Sequence, residues 1–340
     1  MKGPVKRNLS EHVVSLFSKS WLMTSANQLT SGGSMNAKEK EISDNCHIYV
    51  ITKIPSLSFL ESTFEYSDGK ISGHICYRIN GIQHKLSFSS EFELVDGAVG
   101  LRLSNYPHRQ IETIDSNDNI VRTLPANMLF VINGMHIENE QLGHLEVLYI
   151  GQSYGNGNRI AHQRLQSHST LQKILADEQY NNPESEIFVL TFEYCDYRII
   201  SKMDGIGLSE VDFEEASKVD ENRYFNILNN PLTKEQQINL IEAGLIRYFQ
   251  PKYNEIYKKS FPSSSHKILQ SCYKLDFSGL VVEINTDELR FKLYSDVIKP
   301  SDHHICQVDL CSHENRWGFF HSADGKGGSI KMKGVITSTA

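Results

Sequence analysis

The run from Thr233 to Pro251 constrains this chain more than any other. Thr233, followed three positions later by Gln236, makes a capping box. Ile238, Ile241, Leu245 and Phe249 recur at the three-to-four spacing of one helical face, and Pro251 stops the pattern. A helix over 234–249 thus has its ends and its buried face fixed. Glu242 stands inside that face, four residues after Ile238 and three before Leu245. A carboxylate in an apolar stripe is costly unless it is protonated, paired or bound to a metal. Two readings stay open: a stripe-edge glutamate that snorkels out or pairs with an arginine, or a metal ligand.

Four segments are read along the chain. Residues 1–43 combine a weakly helical piece, Glu11 to Leu22, with linker-like Thr30–Ser34 and Lys38–Glu41. Residues 44–124 form a β-rich domain, with strand-like Ile48–Thr52, Ile71–Ile79 and Gln83–Phe88 and a hairpin signal at Asn80-Gly81. Residues 125–260 hold strands at Met128–Ile137 and Leu145–Ile150, a helix from Arg159 to about Ala176, a buried strand at Glu186–Tyr194 and the helix already described. Residues 261–340 form a β-rich C-terminal segment, expected to pair with 45–124 across the middle. The fold class is α+β.

With 39% hydrophobic and 22% charged residues, the chain reads as globular. Its apolar runs, such as Ile187–Leu190, fall far short of the ~20 residues of a membrane helix. Val13 to Phe17 is too broken for a secretory segment, so a cytoplasmic protein with no membrane partner is expected. The six cysteines are scattered and read as reduced thiols. His303, His304, Cys306, Cys311 and His313 look like a zinc cluster, but Cys306 and Cys311 would face opposite sides of one strand. Buried thiols and surface histidines are expected there. Gly155–Asn158 lacks the Lys-Ser/Thr of a phosphate loop and reads as a connector. Cys195 beside Asp196 has no histidine partner in sequence.

Further polar residues precede Glu242. Tyr149 ends a strand, and Gly151 lets the backbone turn close to a bound group. Arg164 and His168 share one helix face, continued by Leu171 and Leu175. A fixed guanidinium there can clamp a phosphate that gains charge. Singly, each residue is ordinary: strand tyrosines pack, and Arg/His pairs usually face water. Together, Tyr149-Ile-Gly-Gln-Ser153, Arg164-Leu-Gln-Ser-His168 and the segment Glu242 to Asn254 resemble the successive motifs of the GIY-YIG nuclease superfamily, over about 125–260. The Arg-x-x-x-His spacing is similar to that of its homing endonucleases and restriction enzymes.

The resemblance implies a small core of short mixed or antiparallel sheet flanked by helices, with β-rich segments on either side. It implies that Tyr149 helps activate water and that Arg164 stabilises the pentavalent phosphate. It implies that His168 assists proton transfer or touches phosphate, that Glu242 holds Mg²⁺ or Mn²⁺, and that Asn254 ties the site by hydrogen bonds. The first motif should read Gly-Ile-Tyr shortly before Tyr149. Its closest match is Gly134-Met135-His136, which puts His136 in the tyrosine's place as a base, a hydrogen-bond partner or a strand residue with no role. The loop from Gly151 to Arg164 is longer than the pattern's, and Arg159 competes with Arg164; His168 favours Arg164.

The implied function is a metal-dependent DNA endonuclease, in restriction or defence against foreign DNA. The formal charge of −7 argues against a wide basic surface, leaving Lys252 to Lys259 and the tail around Lys326, Lys331 and Lys333 as local footprints. A protein partner or a homo-oligomer would then add grip. The alternative is a degenerate module that binds nucleic acid or a partner without cutting.

Overall fold

The computed structural model describes residues 8–31, 37–135, 139–154, 164–165, 169–203, 213–311, 316–320 and 335–338. The chain opens with β1 (Ser10–Ser25), α1 (Ala26–Ser31), α2 (Ala37–Asn45) and β2 (Ile48–Pro55). Seven short strands follow: β3 (Ser58–Phe59), β4 (Glu65–Ser67), β5 (Lys70–Ile79), β6 (Ile82–Glu91), β7 (Gly100–Leu103), β8 (Gln110–Ile114) and β9 (Ile120–Pro125). Then come α3 (Ala126–Ile132), β10 (His144–Gln152), α4 (Ser169–Asn181), β11 (Ser185–Tyr194) and β12 (Arg198–Met203). The helices α5 (Phe213–Asn229), α6 (Lys234–Phe249) and α7 (Gln270–Lys274) precede β13 (Gly279–Asn285), β14 (Lys292–Tyr294), β15 (His303–Asp309) and β16 (Val335–Ser338).

The architecture is mixed α+β, and its sheet is larger than the short sheet expected. Nine strands join in the order β14-β10-β2-β11-β1-β13-β15-β16, with β12 also paired to β1. Both sequence flanks supply strands to it. β2 lies antiparallel between β10 and β11, so β3 to β9 and α3 fill the connection between two neighbouring strands. Those seven strands form two small sheets, one of four strands and one of three. In the first, Asn80 and Gly81 both have positive φ between paired Ile79 and Ile82, as a two-residue hairpin turn requires.

Three readings of the sequence are corrected. The N-terminal piece is not helical: β1 is a 16-residue strand, and ladders to β11, β12 and β13 decide its state over local preference. Glu11 on β1 is buried and meets Arg316 through two hydrogen bonds of 2.9 and 2.5 Å. The apolar run beginning at Met128 is helical in α3, because a short apolar run fits a buried helix as well as a strand and Pro125 sets the helix start. The C-terminal strands join the sheet through β1 and β10, with β13 parallel to β1 and β14 parallel to β10. Among the described residues no ladder joins them to the small sheets.

The large sheet separates two cores. On one face Ile48, Val50, Val147, Ile150, Phe188 and Leu190 pack with Ile238, Ile241, Leu245 and Phe249 of α6. On the other, Tyr49, Ile51, Leu148 and Val189 pack with Leu171 and Ile174 of α4, with Leu165 and with Leu29 of α1. No helix among the described residues is long and apolar enough to cross a membrane.

Candidate active site

A bulge in β10 sets the site. Val147 pairs with Thr52 but Tyr149 pairs with Ile51, so the extra residue Leu148 shifts the alternation of the strand. Leu145 and Val147 therefore face α6, whereas Tyr149 faces α4 beside Tyr49 and Ile51. Without the bulge, the two-residue period would turn Tyr149 into the opposite core. Tyr49 and Tyr149 stack, with ring centroids 6.2 Å apart and planes tilted by 28°.

Gly151 pairs directly with Tyr49 and shares its face. A Cβ at this position would stand 2.5 Å from the Tyr49 hydroxyl oxygen and 2.9 Å from Cε1 of Tyr149. Only glycine lets the Tyr49 ring lie across the strand. Gly151→Ala is expected to push the stacked rings apart, at a cost of about 1–3 kcal/mol from overpacking. Thermal melting and the near-ultraviolet dichroism of the tyrosines would register it; an unchanged melt and spectrum would mean that the rings yield freely.

The hydrogen bonds at Tyr149 are directional. Its hydroxyl oxygen accepts from Tyr49 and from Thr170 at the start of α4. Burial and then the Glu242 charge raise its pKa, against the pull of Arg164, so Tyr149 keeps its proton at neutral pH. Tyr49 is fully buried, and burial pushes its pKa up further. Arg164 lies in a short helical turn whose next residue, Leu165, is buried in the α4-side core. That anchor holds the half-buried guanidinium where it acts on Tyr49, Tyr149 and Glu242.

Glu242 comes from the other face of the sheet, on α6. The capping box of Thr233 and Gln236 is formed at its start, and Gln250 in the left-handed region closes its end before Pro251. Glu242 reaches the end of β10, where the side chain and backbone of Gln152 hydrogen-bond its carboxylate. Burial lifts its pKa to about 7, with the Arg164 charge and the Gln152 hydrogen bonds acting the other way. Tyr257, at φ 68° in the turn beyond, also has its pKa raised, by burial and then by Glu242.

Asn254 completes the frame. β14 covers only residues 144–146 of β10, so the outer edge of that strand is bare at the site. There Ile150 N–H donates to Asn254 Oδ1 at 2.9 Å, and Asn254 Nδ2 donates to Ile150 O at 2.8 Å. Tyr253 N–H donates to Leu148 O at 3.0 Å. The turn after α6 thus stands in for a missing strand and fixes the height of Tyr149.

Of the sequence candidates, the structure brings together Tyr149, Arg164 and Glu242, with Asn254 behind them. His136 and His168 lie outside the described residues. Tyr49 was not among the candidates; its local signal was one aromatic in a β-branched run, Ile48-Tyr49-Val50-Ile51. Among the described residues no group of three or more His, Cys, Asp or Glu gathers as a metal cage. Glu242 alone still suits a hard divalent ion, since Mg²⁺ often takes one or two carboxylates and fills its shell with water and substrate phosphate. A carboxyl poised near pH 7 against an arginine is also the group whose charge a cation would stabilise.

The histidine and cysteine region is occupied differently. His304 Nε2–H donates to Leu293 O (3.0 Å) and Ser301 O (2.8 Å), leaving Nδ1 to accept from the Tyr248 hydroxyl at 3.2 Å. Cys306 Sγ donates to Gly244 O at 3.3 Å, and burial pushes its thiol up to about 12. His313 lies outside the described residues. No protein-family model, no curated protein and no solved structure matches the chain.

Proposed function

We propose that the chain is a metal-dependent endonuclease that hydrolyses phosphodiester bonds in DNA, with a GIY-YIG-like site. One observation carries the reading: a stacked tyrosine pair, an anchored arginine and a desolvated carboxylate meet at the end of two neighbouring strands. Ile48-Tyr49 on β2, the antiparallel neighbour of Tyr149-Ile150-Gly151, supports Tyr49 in the role of the pattern's first-motif tyrosine, beside the reading that gives it to His136. His47 stands where that motif has glycine.

Phosphodiester cleavage needs a water held in line and charge compensation on the phosphate. Tyr149, its oxygen held by Tyr49 and Thr170, orients the water. The Arg164 guanidinium is aimed at the phosphate oxygens that gain charge. Glu242 would hold Mg²⁺ or Mn²⁺, whose contribution when bound is to polarise the phosphate and acidify water. Asn254 and Gln152 hold the frame and touch no substrate. With a net charge of −7, affinity for long DNA rests on a local patch that includes Lys252, Lys258 and Lys259, or on a partner protein or second copy. Restriction or defence against foreign DNA is the setting proposed from the resemblance.

The test incubates supercoiled plasmid, single-stranded DNA and RNA separately with the protein and Mg²⁺ or Mn²⁺. Nicked or linear plasmid is expected, and Arg164→Ala is expected to lower the rate about 10²–10³-fold. Cleavage of RNA alone would move the substrate class. Binding with no cleavage of any of them would support a non-cutting recognition module instead.

A further inference from the structure

A second buried carboxylate ties the site's supports together. Glu178 of α4 is 2% exposed and takes four donors. Its Oε1 accepts from Lys252 Nζ and from the Tyr253 hydroxyl, each at 3.1 Å. Its Oε2 meets Asn182 Nδ2 at 2.6 Å and Lys53 Nζ at 3.3 Å. Lys53 also pairs with Glu146 of β10 at 3.0 Å, which balances two lysines against two carboxylates. Burial opposes ionisation of Glu178, but the hydrogen bonds from Lys252, Lys53 and Tyr253, together with the Lys53 charge, leave its carboxyl below the usual glutamate range.

Three of the four donors come from other segments that carry a site residue. Lys53 lies on β2, on the same face as Tyr49 and two residues beyond Ile51. Lys252 and Tyr253 sit in the turn whose next residue is Asn254. Glu178 belongs to the helix whose Thr170 bonds Tyr149, and which follows the turn of Arg164. We infer that Glu178 is a positioning residue for the proposed cleavage, clamping α4 to the Tyr49 strand and to the Asn254 turn.

This rests on the nuclease reading. A purely apolar contact would hold α4 as firmly, because buried ion pairs add little net stability over well-packed hydrophobic residues. What the carboxylate adds is a discrete register. A slide of α4 by one helical turn, about 5.4 Å, would break the contacts from Lys53, Lys252 and Tyr253 and withdraw Thr170 from Tyr149. A displacement of only 1 Å in such a frame can lower a rate about 10²-fold.

The test compares wild type, Glu178→Gln and Tyr253→Phe by steady-state cleavage of a defined DNA duplex and by hydrogen exchange at the Ile150 amide. Tyr253→Phe removes one hydrogen bond, so it stays interpretable if Glu178→Gln does not fold. Glu178→Gln is expected to lower kcat about 10–100-fold with KM within about twofold, the signature of a group acting only in the reacting geometry. Tyr253→Phe should lower kcat by a smaller factor in the same way, and both should speed Ile150 exchange. Unchanged kcat and exchange in both variants, or a Glu178→Gln defect fully restored by cooling or a stabilising osmolyte, would overturn the assignment. If wild type cuts no nucleic acid, the nuclease reading falls; faster Ile150 exchange in the variants would still demonstrate the clamp.

Discussion

Glu242→Gln is expected to abolish cleavage, at least about 10³-fold, while making the metal-free protein more stable above pH 7. The two effects share one cause. Folding raises the Glu242 pKa from its ordinary 4.5 to about 7, chiefly by burial, so the fold prefers the protonated carboxyl. That preference is cost-free below about pH 4.5, where both states are protonated. Stability is lost progressively as pH rises through 7, to an extent on the order of 3 kcal/mol. Glutamine carries no charge to desolvate, so the variant should lack this pH-dependent loss and melt a few degrees higher at pH 8. A divalent cation added to wild type should recover part of the loss, by binding the folded state alone. Melting curves from pH 5 to 8, with and without Mg²⁺, check both statements. A Glu242→Gln protein less stable than wild type at pH 8, or one that still cuts, would remove Glu242 from the site.

Asn254→Leu should be the most damaging single change to the frame. Asn254 supplies both a donor and an acceptor to Ile150, and leucine of similar size supplies neither. Each buried backbone group left unpaired costs about 1–3 kcal/mol, so a loss of about 2–6 kcal/mol is expected together with loss of cleavage. Asn254→Asp is the sharper comparison. Its carboxylate can still accept from Ile150 N–H, but it sets a charge against Ile150 O, so it should fail more severely at pH 8 than at pH 4. Denaturant melts read the stability. Equal behaviour of Asn254→Asp and wild type at both pH values would show that the carbonyl bond contributes nothing.

What the sequence revealed followed how local the physics was. α6 was legible to the residue because its cap, stripe and stop all lie within one run, and Glu242 stood out against that stripe. The Asn80-Gly81 turn was legible because positive φ has a short list of candidates. β1 was misread since neighbours far along the chain decide its state. Tyr49 was hidden for a related reason. The resembled pattern places its first motif shortly before Tyr149, toward His136, but strand pairing sets no limit on sequence distance. Seven strands and a helix separate β2 from β10, while the register sets Tyr49 opposite Gly151. The bulge at Leu148, which turns Tyr149 toward Tyr49, has no residue signature of its own.

That long connection between β2 and β10 also has a kinetic meaning. Joining the two strands closes a loop of roughly 90 residues, and the entropy of that closure is lost before any contact between the tyrosines returns it. The small sheets inside the loop draw their ladders from nearby residues and can form first, shortening the distance left to close. The tyrosine pair, the arginine and the glutamate come from residues 49 to 242, and the Asn254 tie lies later still. A ribosome must therefore release most of the chain before the frame can close. On the proposed reading, cleavage can begin only once the chain through Asn254 has emerged.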